Sequence, residues 1–562
     1  MDETPTFSRR EWLGRVSART LVASLGVGLG AQAGAAEFPA SGAAAGTALG
    51  AGIYNIREYG AKGDGTTLDT TAVQAAIDHC AQDGGGTVLV PAGDFVIGTV
   101  ELKSDITVHL SARGRLLGSA DIAHYRAGAG IPPGNGNIVL LSAAAAENVT
   151  IEGPGTIDGN GAKFFNGHGD NTGPGGKSSS GYFQRPHLLV FHRCKNLRLR
   201  GVFFTASAYH CVRILDCERV FIDGVRIHNR VNKNNDGFHF NDSRHVHLTN
   251  CDVTCQDDAC ALFGSNQFVT IVNSTFSTRW SVFRFGGGEA ENITIANCVI
   301  YETYGCAIKM RCGARTRFEN ITFSNLIMRD VTGPISIGLD STSRRRPDDH
   351  RPPMKGIVRN IVFNAIRASV VATGRQHADL PFASEYRPGE TRTCLTLNGV
   401  GEEFLENISF TDVHVTYEGG GTAGEAAVRD VPGMAGEYFE IGTPPAYGLY
   451  ARNVRGLVLD NVRFEMRQPD FRPAIVFDHV TDAAVNGLSA QGNPRAESLL
   501  RFIDTSDVLL TACRVLTPSA VFLQTEGAAC AGVVIDGGDL AKATLPVSSE
   551  RGAAVTAVEL RP

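Results

Sequence analysis

The sequence predicts an all-β solenoid, in which short strands stack coil upon coil along one axis, and three observations predict it. The first is composition: 65 glycines stand against 12 tyrosines and 2 tryptophans in 562 residues. The second is a short strand motif, x-[VIL]-x-[VILF], that begins at Asn148, Asn196, Arg219, His245, Phe268, Asn292, Asn320, Asn360, Asn407, Gly456 and, less regularly, Val508; from Asn196 to Asn320 the steps are 23, 26, 23, 24 and 28 residues. A period of roughly 20 to 30 residues, one short strand per phase with Gly, Asn and Asp turns between, is the pattern of a stacked β-coil. The third is a set of asparagines at one phase of that repeat: Asn250, Asn273, Asn297 and Asn325. Asparagine accepts a left-handed backbone and can bond its counterpart one coil away, so these four are read as a structural corner ladder.

A core of this kind grows along its axis, so the length does not require several domains. Residues 53–562 are expected to form a single β-helix domain, with a small C-terminal variant region from about Gly448 as the alternative. Loop insertions are expected near 132–184 and 419–445, because these Gly-rich stretches interrupt the strand phases, which resume after each. An open coil end exposes strand edges and apolar side chains, and Asp69 to Asp83 supplies a short N-terminal capping helix: Ala, Val and Ile recur at helical spacing, Asp69 is a candidate N-cap, and Gly84-Gly85-Gly86 follows. The 13 cysteines include no CxxC pair or Cys/His cluster, and several sit at coil spacing, such as Cys194 and Cys217. Buried stacked thiols are the favoured reading; individual disulfides stay open.

Residues 1–36 resemble a twin-arginine-type signal peptide: Ser8-Arg9-Arg10-Glu11-Trp12-Leu13 precedes an apolar stretch, Leu21 to Gly30, too short to span a bilayer, and Ala31, Ala33, Ala35 and Ala36 offer cleavage sites. Residues 37–52 read as a flexible linker. The expectation is an exported protein, periplasmic or extracellular, with no membrane span in its mature form. A net charge of −6 marks no nucleic-acid binder, and a monomer is expected.

Two elements carry chemistry. Asn234-Asn235-Asp236-Gly237 and Gln256-Asp257-Asp258-Ala259 place Asp236 21 residues before Asp257 and 22 before Asp258. That is one coil, and adjacent coils lie about 4.8 Å apart, so three carboxylates fall within reach of one substrate bond. Consecutive aspartates in a flat strand point to opposite faces; a bulge or a strand end is needed to turn both outward. Taken singly, either element could be only a turn; together, at one-coil spacing, they favour catalysis.

From about Tyr54 to at least His479 the chain resembles glycoside hydrolase family 28, the polygalacturonases and their relatives. The stretches YNIREYGAKGDGTTLDTTAVQAAIDHC, RPHLLVFHRCKNLRLRGVFF and CVRILDCERVFIDGVRIHN are similar to the family's opening and middle coils, and NNDG and QDDA occupy the places of its N-T-D and D-D. The resemblance implies a right-handed parallel β-helix and hydrolysis, with inversion, of α-linked galacturonic-acid-containing polysaccharide. It makes Asp258 the acid, gives the water to Asp236 and Asp257, assigns the uronate carboxylate to Lys309, and implies no cofactor or metal. Crowding three carboxylates is itself a means of raising a pKa.

Two family motifs are altered. The Gly-His-Gly place holds Arg279-Trp280-Ser281-Val282-Phe283-Arg284-Phe285-Gly286, without histidine, and Arg-Ile-Lys becomes Ala307-Ile308-Lys309. Arg284, 25 residues before Lys309, can supply the missing guanidinium from a neighbouring coil; its plain alternative is a pair with Glu289. His210 and His239 are candidates for the missing histidine, and Asn234 for a substrate contact. Tyr209 and Trp280 are candidate sugar platforms, with core packing as the alternative. Two other functions fit the same coil: a polysaccharide lyase using Ca²⁺ and an Arg or Lys base, and a catalytically silent carbohydrate binder.

Overall fold

The computed structural model describes residues 52–131, 138–164, 185–339, 355–401, 403–434 and 437–561. The signal-peptide reading and nearly all of the proposed linker lie outside these residues. Leu49 to Pro562 form one compact unit, a right-handed parallel β-helix. A typical coil has three strands: Phe238–Asn241, Arg244–Thr249 and Asp252–Cys255 make one, and Cys260–Phe263, Gln267–Val272 and Thr275–Thr278 make the next, each parallel and in register with its predecessor. The recurring sequence motif marks the middle strand of each coil. The strands on either side are four-residue runs such as Phe238–Asn241, too short to display a period of their own.

The first residue of the motif adopts a left-handed backbone in coil after coil, at φ 56° for Asn196, 58° for Arg219, 54° for His245, 55° for Phe268 and 57° for Asn292. Its counterpart at the following corner does so too, with φ between 52° and 56° at Asn250, Asn273, Asn297 and Asn325. Two ladders result where the sequence showed one. Asn325 Nδ2 donates to Asn297 Oδ1 at 2.9 Å and Asn297 Nδ2 to Asn273 Oδ1 at 3.2 Å, while Asn250 turns to Asp223 at 2.9 Å. In the second ladder Asn407, Asn360, Asn320 and Asn292 bond in succession at 3.2, 3.1 and 3.3 Å. Where the motif starts with a ring instead, stacking replaces the amide bond: the His245 and Phe268 rings lie 5.0 Å apart and 9° from parallel.

The helix Thr70–Gln82 covers the first coil with Val73, Ala76, Ile77 and Cys80. Asp69 stands at its N-cap position but makes no capping bond; its carboxylate accepts from the backbone N–H groups of Lys62 and Gly63, at 2.7 and 2.9 Å, and so ties the preceding turn to the cap. Parallel pairing continues beyond Gly448 to the strand Val558–Arg561. All thirteen cysteines are buried and free. Excursions leave the coil at residues 371–393, which the sequence pattern did not mark, and after Gly419, where the short helices Ala423–Ala426 and Tyr438–Ile441 lie.

Inside, like residues stack on like. Phe363 is sandwiched between Phe323 at 5.1 Å and Phe410 at 4.8 Å. Phe363→Ala is expected to cost about 3–5 kcal/mol by opening a cavity that neither neighbour can fill; a urea midpoint within the error of the parent would contradict this.

Candidate active site

Asp236 and Asp258 each stand two residues ahead of a strand, before Phe238 and before Cys260, and Phe238 and Cys260 are register partners. The strand register therefore stacks one aspartate upon the other. Both aspartates, and Asp257, lie at strand ends, which turns them towards one side without a bulge. One carboxylate oxygen from each of the three lies within 4.8 Å of those of the other two.

The residues around them explain why this turn holds. Asn235 is fully buried; its Oδ1 accepts from the N–H groups of Val231 and Asn232, and its Nδ2 donates to the carbonyls of Ser207 and Tyr209, all between 2.7 and 3.0 Å. Asn229 Nδ2 holds the Asp236 carbonyl at 3.0 Å. Gly237 is required by space, since a Cβ there would stand 2.4 Å from the Ala259 carbonyl oxygen. Asn234, at φ 55°, sends Nδ2 to Asp257 Oδ2 at 3.3 Å, and the Asp258 N–H donates to Asp257 Oδ1 at 2.9 Å. In Asn-Asn-Asp-Gly the second asparagine and the glycine build the turn, and the first touches the carboxylates.

Beyond the turns, one outward position of successive strands carries Arg213, His239, Ala261, Arg284, Lys309 and Ser336, each the register partner of the one before. His239 Nε2 meets Asp236 Oδ2 at 2.5 Å, and His210 Nε2 stands 3.6 Å from Asp236 Oδ1, the two imidazoles stacked 4.2 Å apart. Arg284 Nη1 donates to Asp258 Oδ2 at 3.2 Å and Nη2 to Glu437 Oε1 at 2.9 Å, while Lys309 Nζ donates to Glu437 Oε2 at 2.9 Å. The alternative pair with Glu289 is not made: that carboxylate bonds Arg317 instead. Trp280 is half-buried beneath Lys309, whose ammonium lies 4.7 Å from its ring centre, with Arg279 at 5.0 Å. Tyr209 is buried, with the Arg185 guanidinium over its ring at 4.6 Å and His210 beside it at 4.1 Å.

Arg213 and Glu437 were not singled out in the sequence. Arg213 had a signal, for it precedes His239 by one coil at the same strand position. Glu437 had none, because it arrives on an excursion without periodicity.

Burial raises the Asp236 and Asp257 carboxyls well above the ordinary range, reinforced at Asp236 by Asp258 and at Asp257 by Asp236 and then Asp258. Burial also depresses the histidines, His239 to about 3 and His210 well below its ordinary value. Arg284 is shifted upward: burial opposes its charge, but Asp258 and Glu437 outweigh burial. The site thus sets carboxyls whose surroundings favour the protonated form beside imidazoles whose surroundings favour the neutral form. Oδ1 of Asp236 and Oδ1 of Asp258 are buried and accept no hydrogen bond from the described residues.

Three carboxylates brought together at strand ends can hold and transfer protons. The chain belongs to glycosyl hydrolases family 28, whose sequence profile matches residues 80–380. It is 32% identical over 250 residues to the exo-poly-α-D-galacturonosidase of Dickeya chrysanthemi, an alignment covering 37% of this chain and 41% of that one. Against an exopolygalacturonase of Zea mays it is 25% identical over 305 residues, 51% of this chain and 70% of the other. Among solved structures, the Yersinia enterocolitica family 28 exopolygalacturonase superposes with a TM-score of 0.56 at 20% identity, covering 77% of this chain and 78% of that one. The Thermotoga maritima exopolygalacturonase gives 0.55 at 17% identity, covering 74% and 91%. At these identities the structures share the fold.

The raised Asp257 carboxyl has a consequence for stability. Its folded pKa lies above the unfolded value, near 3.9, so the stability it contributes is present at low pH and lost as pH rises. Asp257→Asn removes that loss. The melting temperature of the variant is expected to exceed that of the parent by a margin that widens from about pH 4 to pH 7; a margin independent of pH would show that the carboxyl is not shifted.

Proposed function

We propose that this protein hydrolyses an α-linked, galacturonate-containing polysaccharide of the pectic type. The observation that carries the reading is the convergence of Asp236, Asp257 and Asp258 within 4.8 Å, two of them with an unbonded, buried oxygen, in a family of glycosyl hydrolases. The names of the relatives, which act on polygalacturonate, support the substrate class. Asp258 protonates the departing glycosidic oxygen as its bond to the anomeric carbon breaks; Asp236 and Asp257 hold the attacking water, and one of the two, ionised, takes the proton that the water loses. His239 is a positioning residue, holding Oδ2 of Asp236 and leaving Oδ1 unbonded. Residues 1–36 support export by a twin-arginine-type route; replacing both Arg9 and Arg10 by lysine is expected to leave the protein in the cytoplasm, and unimpaired export would refute that route.

Inversion is the stereochemistry proposed, on the family resemblance. Retention is the alternative outcome, in which one carboxylate attacks the sugar and a covalent intermediate is then hydrolysed. Proton NMR of the first-formed product separates them: a newly formed β-anomer from the α-linkage means inversion, an α-anomer retention.

Asp258→Asn keeps the shape of the side chain and removes its transferable proton. Activity, assayed as new reducing ends in the presence of a strong chelator, is expected to fall about 10²–10⁴-fold, and much less on a substrate whose leaving group needs no protonation. Equal losses on the two substrates would take the acid role from Asp258. Ultraviolet absorbance from an unsaturated product would instead identify a lyase.

A further inference from the structure

The cation pair Arg284 and Lys309 already has a carboxylate. Glu437 gives one oxygen to each, Oε1 to Arg284 Nη2 and Oε2 to Lys309 Nζ, both at 2.9 Å. This is the contact that the carboxylate of a bound uronate would make. The Glu437 side is firmly built: Tyr438 and Phe439, the next two residues, are buried, and Phe439 meets Trp280 edge-on at 6.2 Å. Lys309 itself is 2% exposed, closed in by Glu437, by the Trp280 ring at 4.7 Å and by the Tyr438 ring at 5.5 Å. Burial pushes the Glu437 carboxyl up, but Lys309 and Arg284 outweigh it and hold the group below its ordinary value, in the charged form.

The other end of the column differs. Arg213, one coil before His239, makes no ion pair among the described residues; its Nη1 meets His187 Nε2 at 3.3 Å, and its buried Nε has no acceptor there. The surroundings of the three aspartates are therefore electrostatically asymmetric. Among the described residues, Arg284 and Lys309 are paired with Glu437, whereas Arg213 has no ion pair.

We propose that Glu437 is a specificity-determining residue: by occupying Arg284 and Lys309 it dedicates the subsite on that side to a neutral sugar, and the uronate carboxylate is taken on the Arg213 side. The linkage cleaved then joins an acidic sugar to a neutral one. A uronate on the Lys309 side would set its charge against Glu437 and Asp258, whose cation partners Arg284 and Lys309 are already engaged, whereas a neutral sugar brings no charge to be offset. This deepens the hydrolase reading above and rests on it.

The test uses the whole protein and two defined substrates, an oligogalacturonate and an oligomer alternating galacturonate with rhamnose, with kcat/KM taken from reducing-end release. The parent is expected to favour the alternating oligomer by at least about tenfold, the scale of one charge-assisted hydrogen bond. In Glu437→Gln the ratio of oligogalacturonate to alternating oligomer is expected to rise at least about tenfold, chiefly through a lower KM for oligogalacturonate. A parent that prefers oligogalacturonate, or a ratio that Glu437→Gln leaves unmoved, overturns the role of Glu437 while hydrolysis stands. Release from neither oligomer overturns the hydrolase reading, and this proposal with it.

Discussion

The parallel register between coils is the constraint on which the rest of the structure depends. Parallel strands pair without offset, so a residue at one phase lies directly over the residue at the same phase of the next coil. Asparagines become ladders, phenylalanines become columns and aspartates become a cluster, all by the same geometry. The corner residues make this possible, because a left-handed backbone at each phase boundary returns the chain to the same path. A one-residue slip would turn the interior face outward and dissolve the Asp236–Asp258 stack together with the core.

Within that frame the site is an assembly of groups that destabilise one another. Asp236 is buried and Asp257 half-buried against like charge, and the half-buried His210 and buried His239 beside them are pushed towards the neutral form. Among the described residues Arg284 pairs with Asp258, and Arg284 and Lys309 share Glu437, which comes from outside the coil. Clustering of this kind is tolerated because the turns beneath are overdetermined: Asn235 alone fastens four backbone groups. Rigid turns hold in place side chains whose own interactions would drive them apart.

What was legible in the sequence followed the period. The middle strands, the asparagine corners and the spacing between Asp236 and the Asp257-Asp258 pair all repeat at coil length, and repetition is visible without a structure. The flanking strands were not legible, because four residues such as Phe238–Asn241 cannot show alternation. Asp69 was placed correctly at the helix start, yet its carboxylate serves the turn before the helix, a choice between two sets of backbone donors that local sequence does not decide. The pairing of Arg284 with Asp258 and Glu437 instead of Glu289 depends on a neighbouring coil and an excursion, contacts that lie outside any local pattern. Glu437 illustrates the limit: a residue brought to the site by a loop carries no mark of its destination.

The thirteen thiols, all buried and none bonded to another, give the coil a property of a different kind. A chain without disulfides needs no oxidant to reach its folded form, so the coil can close under reducing and oxidising conditions alike. The cysteines are distributed from Cys80 in the capping helix to Cys530 near the last coils. Each can meet a reagent only when its own stretch of the coil opens. The molecule therefore carries, spaced along its axis, a built-in series of reporters on local unfolding, and the order in which they react is the order in which the solenoid unzips.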